Sequence, residues 1–317
     1  MIRKDMVHLI DLFMRKYIII IATFILLVLF IAEFILRTIF GLCDVVLYQE
    51  SSKYEYIAQP NQDRYVLFSH VFFNSYSQRS EEPDSTKKII LGLGDSVLFG
   101  GQQIDQDSLA TTLFTKETGI QMLNISAGSW GPDNCVEYIH ENGTFNAKAM
   151  VLVCSSHDAY DKMTFVPVVG IWPNYPRTQA SLALLVCWNR YIYPYIRQIT
   201  GMNEYLDPDA QVVKRSENRQ VVQKSNAFVQ GFDNLKEIAD SAKIPLYIYL
   251  HAELGELQEG TYNDMGQKII QWCQRNDVFL IQDVQEGVRP DMYKDVLHLN
   301  EKGQRHLADV LEEKIKL

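Results

Sequence analysis

Residues 87–100 read KKIILGLGDSVLFG, and this stretch decides the fold. Ile89, Ile90, Leu91 and Leu93 are apolar on both sides of an extended chain, which predicts a short strand buried on both faces. It ends at glycines and runs directly into Asp95-Ser96. Four similar runs follow: QMLNIS (121–126), AMVLVCSS (149–156), PLYIYLH (245–251) and VFLIQDV (278–284). Amphipathic segments separate them. DQDSLATTLFTKETG stops at Gly119, a helix terminator, and PDNCVEYIHENG opens on Pro132, which suits a first helical turn. SNAFVQGFDNLKEIADSAK and YNDMGQKIIQWCQRND precede the fourth and fifth strands, and NEKGQRHLADVLEEKIKL closes the chain as a helix. Five strands alternating with helices predict an α/β fold over residues 87–317: three layers around a flavodoxin-like, doubly wound parallel sheet. In such sheets the chemistry lies at the carboxyl ends of the strands. Residues 159–215 interrupt the alternation and are expected to form a cap-like insertion beside that edge.

Upstream, residues 17–36 read YIIIIATFILLVLFIAEFIL, with Glu33 as their one charge. As a helix they would span roughly 30 Å, the thickness of a bilayer's hydrocarbon core. No small-residue cleavage site follows, and the residues before Cys43 fit a lipoprotein signal poorly, so a retained transmembrane anchor is expected. Arg3, Lys4, Arg15 and Lys16 precede the run, while Arg37 alone follows closely. The positive-inside rule then places residues 1–16 in the cytoplasm and the bulk of the chain outside, on the periplasmic side. Residues 37–86 are polar and aromatic with little periodicity, and are expected to be a stem.

The chain has 317 residues, 47% hydrophobic and 22% charged, with a net charge of −9. That suits one large α/β domain with an appendage. The acidic balance excludes a general nucleic-acid binder, which needs a basic surface. Cys43, Cys135, Cys154, Cys187 and Cys273 show no metal-binding spacing, and no metal or organic cofactor is implied.

Two motifs carry chemistry. Gly94-Asp95-Ser96 follows the first strand, where a serine at a strand-to-helix turn exposes its hydroxyl and keeps its backbone N–H free. A hydroxyl needs a base to become a nucleophile. Asp295-Val296-Leu297-His298 precedes the last helix. A carboxylate three residues before an imidazole can hold one ring N–H and leave the other nitrogen to the serine. Each motif alone is weak. Together, in the order Ser…Asp…His, they make Ser96, Asp295 and His298 a candidate catalytic triad.

IILGLGDSVLFG resembles the first block of the SGNH/GDSL hydrolase family, and DVLHLNEKGQRHLADVL resembles its last block. LNISAGSWGPDN stands where that family has its glycine block. The resemblance covers about residues 87–317 and implies the SGNH hydrolase fold, with Ser96 as nucleophile, His298 as general base and Asp295 as its orienting partner. It also implies an oxyanion hole built from the backbone N–H of Ser96 and one from the 128–131 turn. Gly128 is the favoured donor there, with Ser129 and Gly131 as alternatives. The family's third block carries an asparagine as a further donor, and in Ser155-Ser156-His157-Asp158 His157 stands in its place. A neutral imidazole still offers one N–H and a charged one would stabilise the oxyanion more strongly; the alternative is that His157 is structural or solvent-facing and the site is weakened. FGL at 40–42, NSYSQR at 74–79 and the anchor resemble membrane-tethered members linked to surface polysaccharide.

The function expected is an extracytoplasmic ester hydrolase that deacetylates a polysaccharide or other glycan. The alternatives are an O-acetyltransferase using the same triad, and a non-catalytic glycan-binding or assembly protein, which the His157 departure favours. Trp130, Trp172 and Tyr175 are candidates for stacking on a sugar ring, although core packing is the commoner role for any one of them. Asn124 and Asn142 match glycosylation sequons, and neither carries weight, Asn124 falling at a buried strand end.

Overall fold

The structure, a computed structural model, describes residues 2–200 and 227–317. Residues 201–215 of the expected insertion therefore lie outside the described residues. Helix α1 (Ile2–Thr38) comes first, and within it Phe13–Thr38 has a mean hydropathy of 3.0 and is unburied, long and apolar enough to cross a membrane. Two antiparallel hairpins follow: β1 (Tyr48–Ser51) with β2 (Glu55–Ala58), and β3 (Gln62–Val66) with β4 (Ser69–Phe73).

The remaining strands are β5 (Ile89–Gly94), β6 (Gln121–Ser126), β7 (Ala149–Ser155), β8 (Leu246–His251) and β9 (Phe279–Gln282). They form one parallel sheet in the order β6-β5-β7-β8-β9. This is the flavodoxin-like order the alternation predicts, and its switch point lies between β5 and β7. Side chains of each strand alternate between two cores, as the two-residue period requires. Leu91, Leu93, Leu152 and Ile248 face one core, with helices α4 (Pro132–Asn142), α7 (Gly231–Ala242) and α9 (Asp264–Arg275). Ile90, Val151, Val153 and Tyr249 face the other, with α2 (Ser96–Phe99), α3 (Ala110–Thr118) and α10 (Glu301–Lys314). Helix α3 ends at Gly119 and α4 begins at Pro132, as the sequence indicates. Helix α8 (Leu254–Glu259) follows β8.

Residues 37–86 do not form a free stem. Val46, Tyr48, Tyr56, Ile57, Val71 and Phe73 belong to the same core as Leu91 and Leu152. Arg79 pins the segment down. It is fully buried and donates to the carbonyls of Phe99, Gly101 and Ile104 at 2.5, 2.6 and 2.6 Å, with its guanidinium over the Phe99 ring. Burial pulls its pKa down to about 9, so it stays charged at neutral pH. Its donors meet the last carbonyl of α2, the helix that begins with Ser96, where a cation suits the helix dipole. Arg79→Met would leave three inward carbonyls without a donor. We expect a loss of about 3–5 kcal/mol, read as a lowered melting temperature of the full chain in detergent.

The expected insertion splits in two. Residues 161–182 are mostly irregular and lie against the first hairpin, where Tyr175 packs edge-on to Tyr48 and Tyr56. A helical run follows, comprising α5 (Ala183–Cys187), a wider turn at Trp188–Ile192 and α6 (Tyr193–Thr200). Helix α5 meets the end of α1, where both carboxylate oxygens of Glu33 accept from the N–H groups of Ala183 and Leu184 at 2.9 Å.

Candidate active site

Ser96 stands at the carboxyl edge of β5, beside the switch point. Gly94 makes the turn possible, because a Cβ there would lie 2.8 Å from the Val153 carbonyl and 3.0 Å from Leu98. Asp95 caps the short helix by accepting from Val97 N–H at 2.7 Å. Half-buried Ser96 then meets His298, whose Nε2 is 2.9 Å from Ser96 Oγ. On the far side of the ring, Nδ1 lies 2.9 and 3.0 Å from the two carboxylate oxygens of Asp295. The sequence separation of 202 residues between Ser96 and His298 is closed by the fold alone.

Asp295 is held by its own turn. Its Oδ1 accepts from the N–H groups of Leu297 and His298 at 3.0 and 2.8 Å. Burial alone would raise its pKa, but these N–H groups and the ring keep it below the usual carboxylate range. An ionised Asp295 can only accept, so His298 Nδ1 carries the proton and Nε2 offers its lone pair to the Ser96 hydroxyl. The arrangement can take a proton from Ser96 as the oxygen attacks.

The glycine block forms the turn between β6 and α4. Gly131 N–H donates to Asn134 Oδ1 at 2.9 Å, which removes it from the possible oxyanion donors. Gly128 and Ser129 retain N–H groups with no acceptor among the described residues. The Tyr56 hydroxyl donates to the Gly128 carbonyl at 2.6 Å and so fixes the turn. A Cβ on Gly128 would meet the Tyr175 hydroxyl at 3.3 Å. Trp130 is fully buried, with its indole N–H on the Tyr56 carbonyl, and serves as core.

His157 lies at the carboxyl end of β7. Its Nδ1 is 3.3 Å from Glu253 Oε1 and its Nε2 is 4.0 Å from Asp95 Oδ2; it makes no hydrogen bond to Ser96. Burial would lower its pKa, but Asp158, Asp95 and Glu253 outweigh that and raise it. Asp95 and Asp158 are both buried, and burial pushes their carboxyls up. The ligand atoms of Asp95, His157 and Asp158 lie within 4.8 Å of one another, a grouping able to hold a metal ion that the sequence spacing does not suggest.

A second His–Asp pair supports the triad from below. His251, at the end of β8, is fully buried. Its Nε2 donates to the Leu297 carbonyl at 2.8 Å, and its Nδ1 lies 2.7 Å from Asp283 Oδ2. The Tyr249 hydroxyl donates to Asp283 Oδ1 at 2.6 Å, and His306 Nε2 lies 3.4 Å from that oxygen. Burial opposes charge on both members. The mutual hydrogen bonds prevail, raising His251 and holding Asp283 far below the carboxylate range. Both ring nitrogens of His251 thus face acceptors, which favours its charged form, and through the Leu297 carbonyl it holds the residue before His298 and so the loop that carries His298. The sequence carries a signal for this pair: the buried strand β8 and the edge strand β9 each run out into a titratable residue at the edge where ligands meet such sheets.

Beside the glycine block lies a cavity of about 380 Å³ lined by Tyr56, Ser129, Asp161, Trp172 and Tyr175 among others. It combines aromatic faces with carboxylate and hydroxyl groups.

No family model matches the sequence, and no curated protein matches it. Solved structures do. A lipolytic protein of the G-D-S-L family from Desulfitobacterium hafniense is 9% identical, with a TM-score of 0.42, over 72% of this chain and 100% of that one. Another from Veillonella parvula is 11% identical, with a TM-score of 0.40, over 72% and 98%. A family two carbohydrate esterase from Clostridium thermocellum is 10% identical, with a TM-score of 0.38, over 74% and 64%. At these values the assignment stands on the geometry of the chain itself.

Proposed function

We propose that this chain is a serine ester hydrolase of the SGNH/GDSL type, anchored in a membrane by α1, that deacetylates a glycan outside the cytoplasm. The observation that carries this is the hydrogen-bonded line Ser96–His298–Asp295 at the carboxyl edge of the sheet, with both links at 2.9 Å. Ser96 Oγ attacks the ester carbonyl as His298 Nε2 takes its proton. The tetrahedral intermediate collapses, the C–O bond to the alcohol breaks, and His298 returns the proton to the leaving oxygen. Water then repeats the sequence on the acyl-enzyme, releasing the acid and restoring Ser96. The N–H groups of Ser96 and Gly128 receive the oxyanion, with His157 beside them.

The glycan reading is supported by the aromatic and acidic cavity next to the glycine block. The anchor reading is supported by the exposed apolar length of α1. The outward orientation is supported by the basic residues before that span. The test is acetate release by the full chain from O-acetylated polysaccharide, compared with long-chain glyceryl esters. Preference for the long-chain esters would overturn the glycan reading. Acetyl transfer to an added sugar acceptor in place of release would make the chain a transferase.

His157→Ala should lower turnover at least ~10-fold with the fold intact. Because its pKa is raised, His157 keeps its proton above the ordinary histidine value and loses it on the alkaline side. We expect an alkaline fall in kcat/KM that His157→Asn, a neutral donor at every pH, removes. An unchanged profile would make His157 scaffold.

A further inference from the structure

We infer that the helical run 183–200 is a second membrane element, lying flat in the outer headgroup layer beside the end of α1. The inference rests on reading α1 as the membrane span. Leu182, Leu185, Trp188, Ile192, Tyr195 and Ile199 recur at three- and four-residue spacing and form one stripe along the run. All six are exposed, Leu185, Tyr195 and Ile199 by 55, 63 and 66%, and no described residue covers them. A stripe of this kind on a soluble surface would be costly, whereas in lipid it is buried.

Three observations select a lipid surface as the occupant. The first is continuity. The run is tied to α1 near the end of its apolar span, through Glu33 to Ala183 and Leu184 and through Arg37 to the Ser181 carbonyl. Leu42, Ala183 and Val186 form a small shared core there. That contact holds the run at the level where the span leaves the bilayer. The second is composition. Trp188, Tyr191, Tyr193 and Tyr195 are the amphipathic rings that favour the membrane interface. The third is charge. The chain is −9 overall, yet residues 178–200 contain Arg190 and Arg197 and no acidic residue. The arginines are seven residues apart, two helical turns, so one edge of the run is basic and suits anionic headgroups. Pro194 has no N–H for the Arg190 carbonyl, and the run widens there, with Tyr193 N–H reaching the Trp188 carbonyl.

The test is fluorescence of the full chain reconstituted into vesicles of phosphatidylcholine and phosphatidylglycerol brominated near the headgroup end of the acyl chains. The emission of Trp188 is obtained by difference from Trp188→Phe, and Leu27→Trp in α1 reports on the span. We expect the brominated lipid to remove most of the emission of both. An unquenched Trp188 beside a quenched Leu27→Trp overturns the inference and leaves the anchor standing, whether the face is then bare or covered by a second copy of the chain. If neither is quenched, the anchor reading falls and this inference with it.

Discussion

Ser96→Ala is expected to reduce ester turnover by at least ~10⁴-fold while leaving the melting temperature nearly unchanged. The size of the effect follows from the mechanism: without the hydroxyl no acyl-enzyme forms, and only the oxyanion donors and binding remain. The small structural cost follows from the site. The helix start is held by Asp95 capping Val97 and by Arg79 at its other end, neither of which involves the Ser96 hydroxyl. The measurement is hydrolysis of an aryl acetate by the two proteins at equal concentration, beside their thermal melts. Equal rates would remove Ser96 from the chemistry.

His251→Gln is expected to be the most destabilising single change at the site. It leaves Asp283 ionised in a fully buried position and takes the donor from the Leu297 carbonyl. Breaking a buried pair from one side costs about 3–5 kcal/mol. For a domain of this size that is a fall of roughly 6–20 °C in melting temperature. Turnover should fall as well, since the loop holding His298 loses its support. The pH dependence gives an independent check. A raised His251 contributes stability that is full below its unfolded value of about 6.5 and lost as pH rises through the folded value. A depressed Asp283 contributes stability present above about 3.9 and lost only at far lower pH. The pair is thus strongest between about pH 4 and 6.5, and the alkaline loss of stability should be absent from His251→Gln. A variant that melts like the parent would contradict the buried ion pair.

The sheet is legible in the sequence because four of its strands are buried on both faces and read as short apolar runs, and the edge strand β9 keeps such a run although Phe279 is exposed. All five lie where those runs are, and the helix boundaries at Gly119 and Pro132 follow from backbone chemistry. The hydrogen-bonded line of Ser96, His298 and Asp295 is legible because two of its members share one tetrapeptide and the third follows a strand that glycines terminate. The hairpins of residues 48–73 are not. The second turns at Leu67-Phe68, both with positive φ of 52° and 67°, where such a tight turn usually has Asn-Gly. Tertiary contacts replace the missing signal: Leu67 N–H donates to the Phe40 carbonyl, and Phe68 packs edge-on to Phe40. Arg79 is equally hidden, because a charged residue reads as surface until three backbone carbonyls are seen to surround it. His251 and Asp283 lie 32 residues apart and come together through parallel strand pairing alone.

The central claim is that Ser96 is a nucleophile activated by His298. It is tested most directly by treating the full chain with a fluorophosphonate and mapping the adduct by mass spectrometry. The account predicts one adduct, on Ser96, and its loss in His298→Ala. An adduct on another residue, or equal labelling of Ser96 without His298, would contradict it.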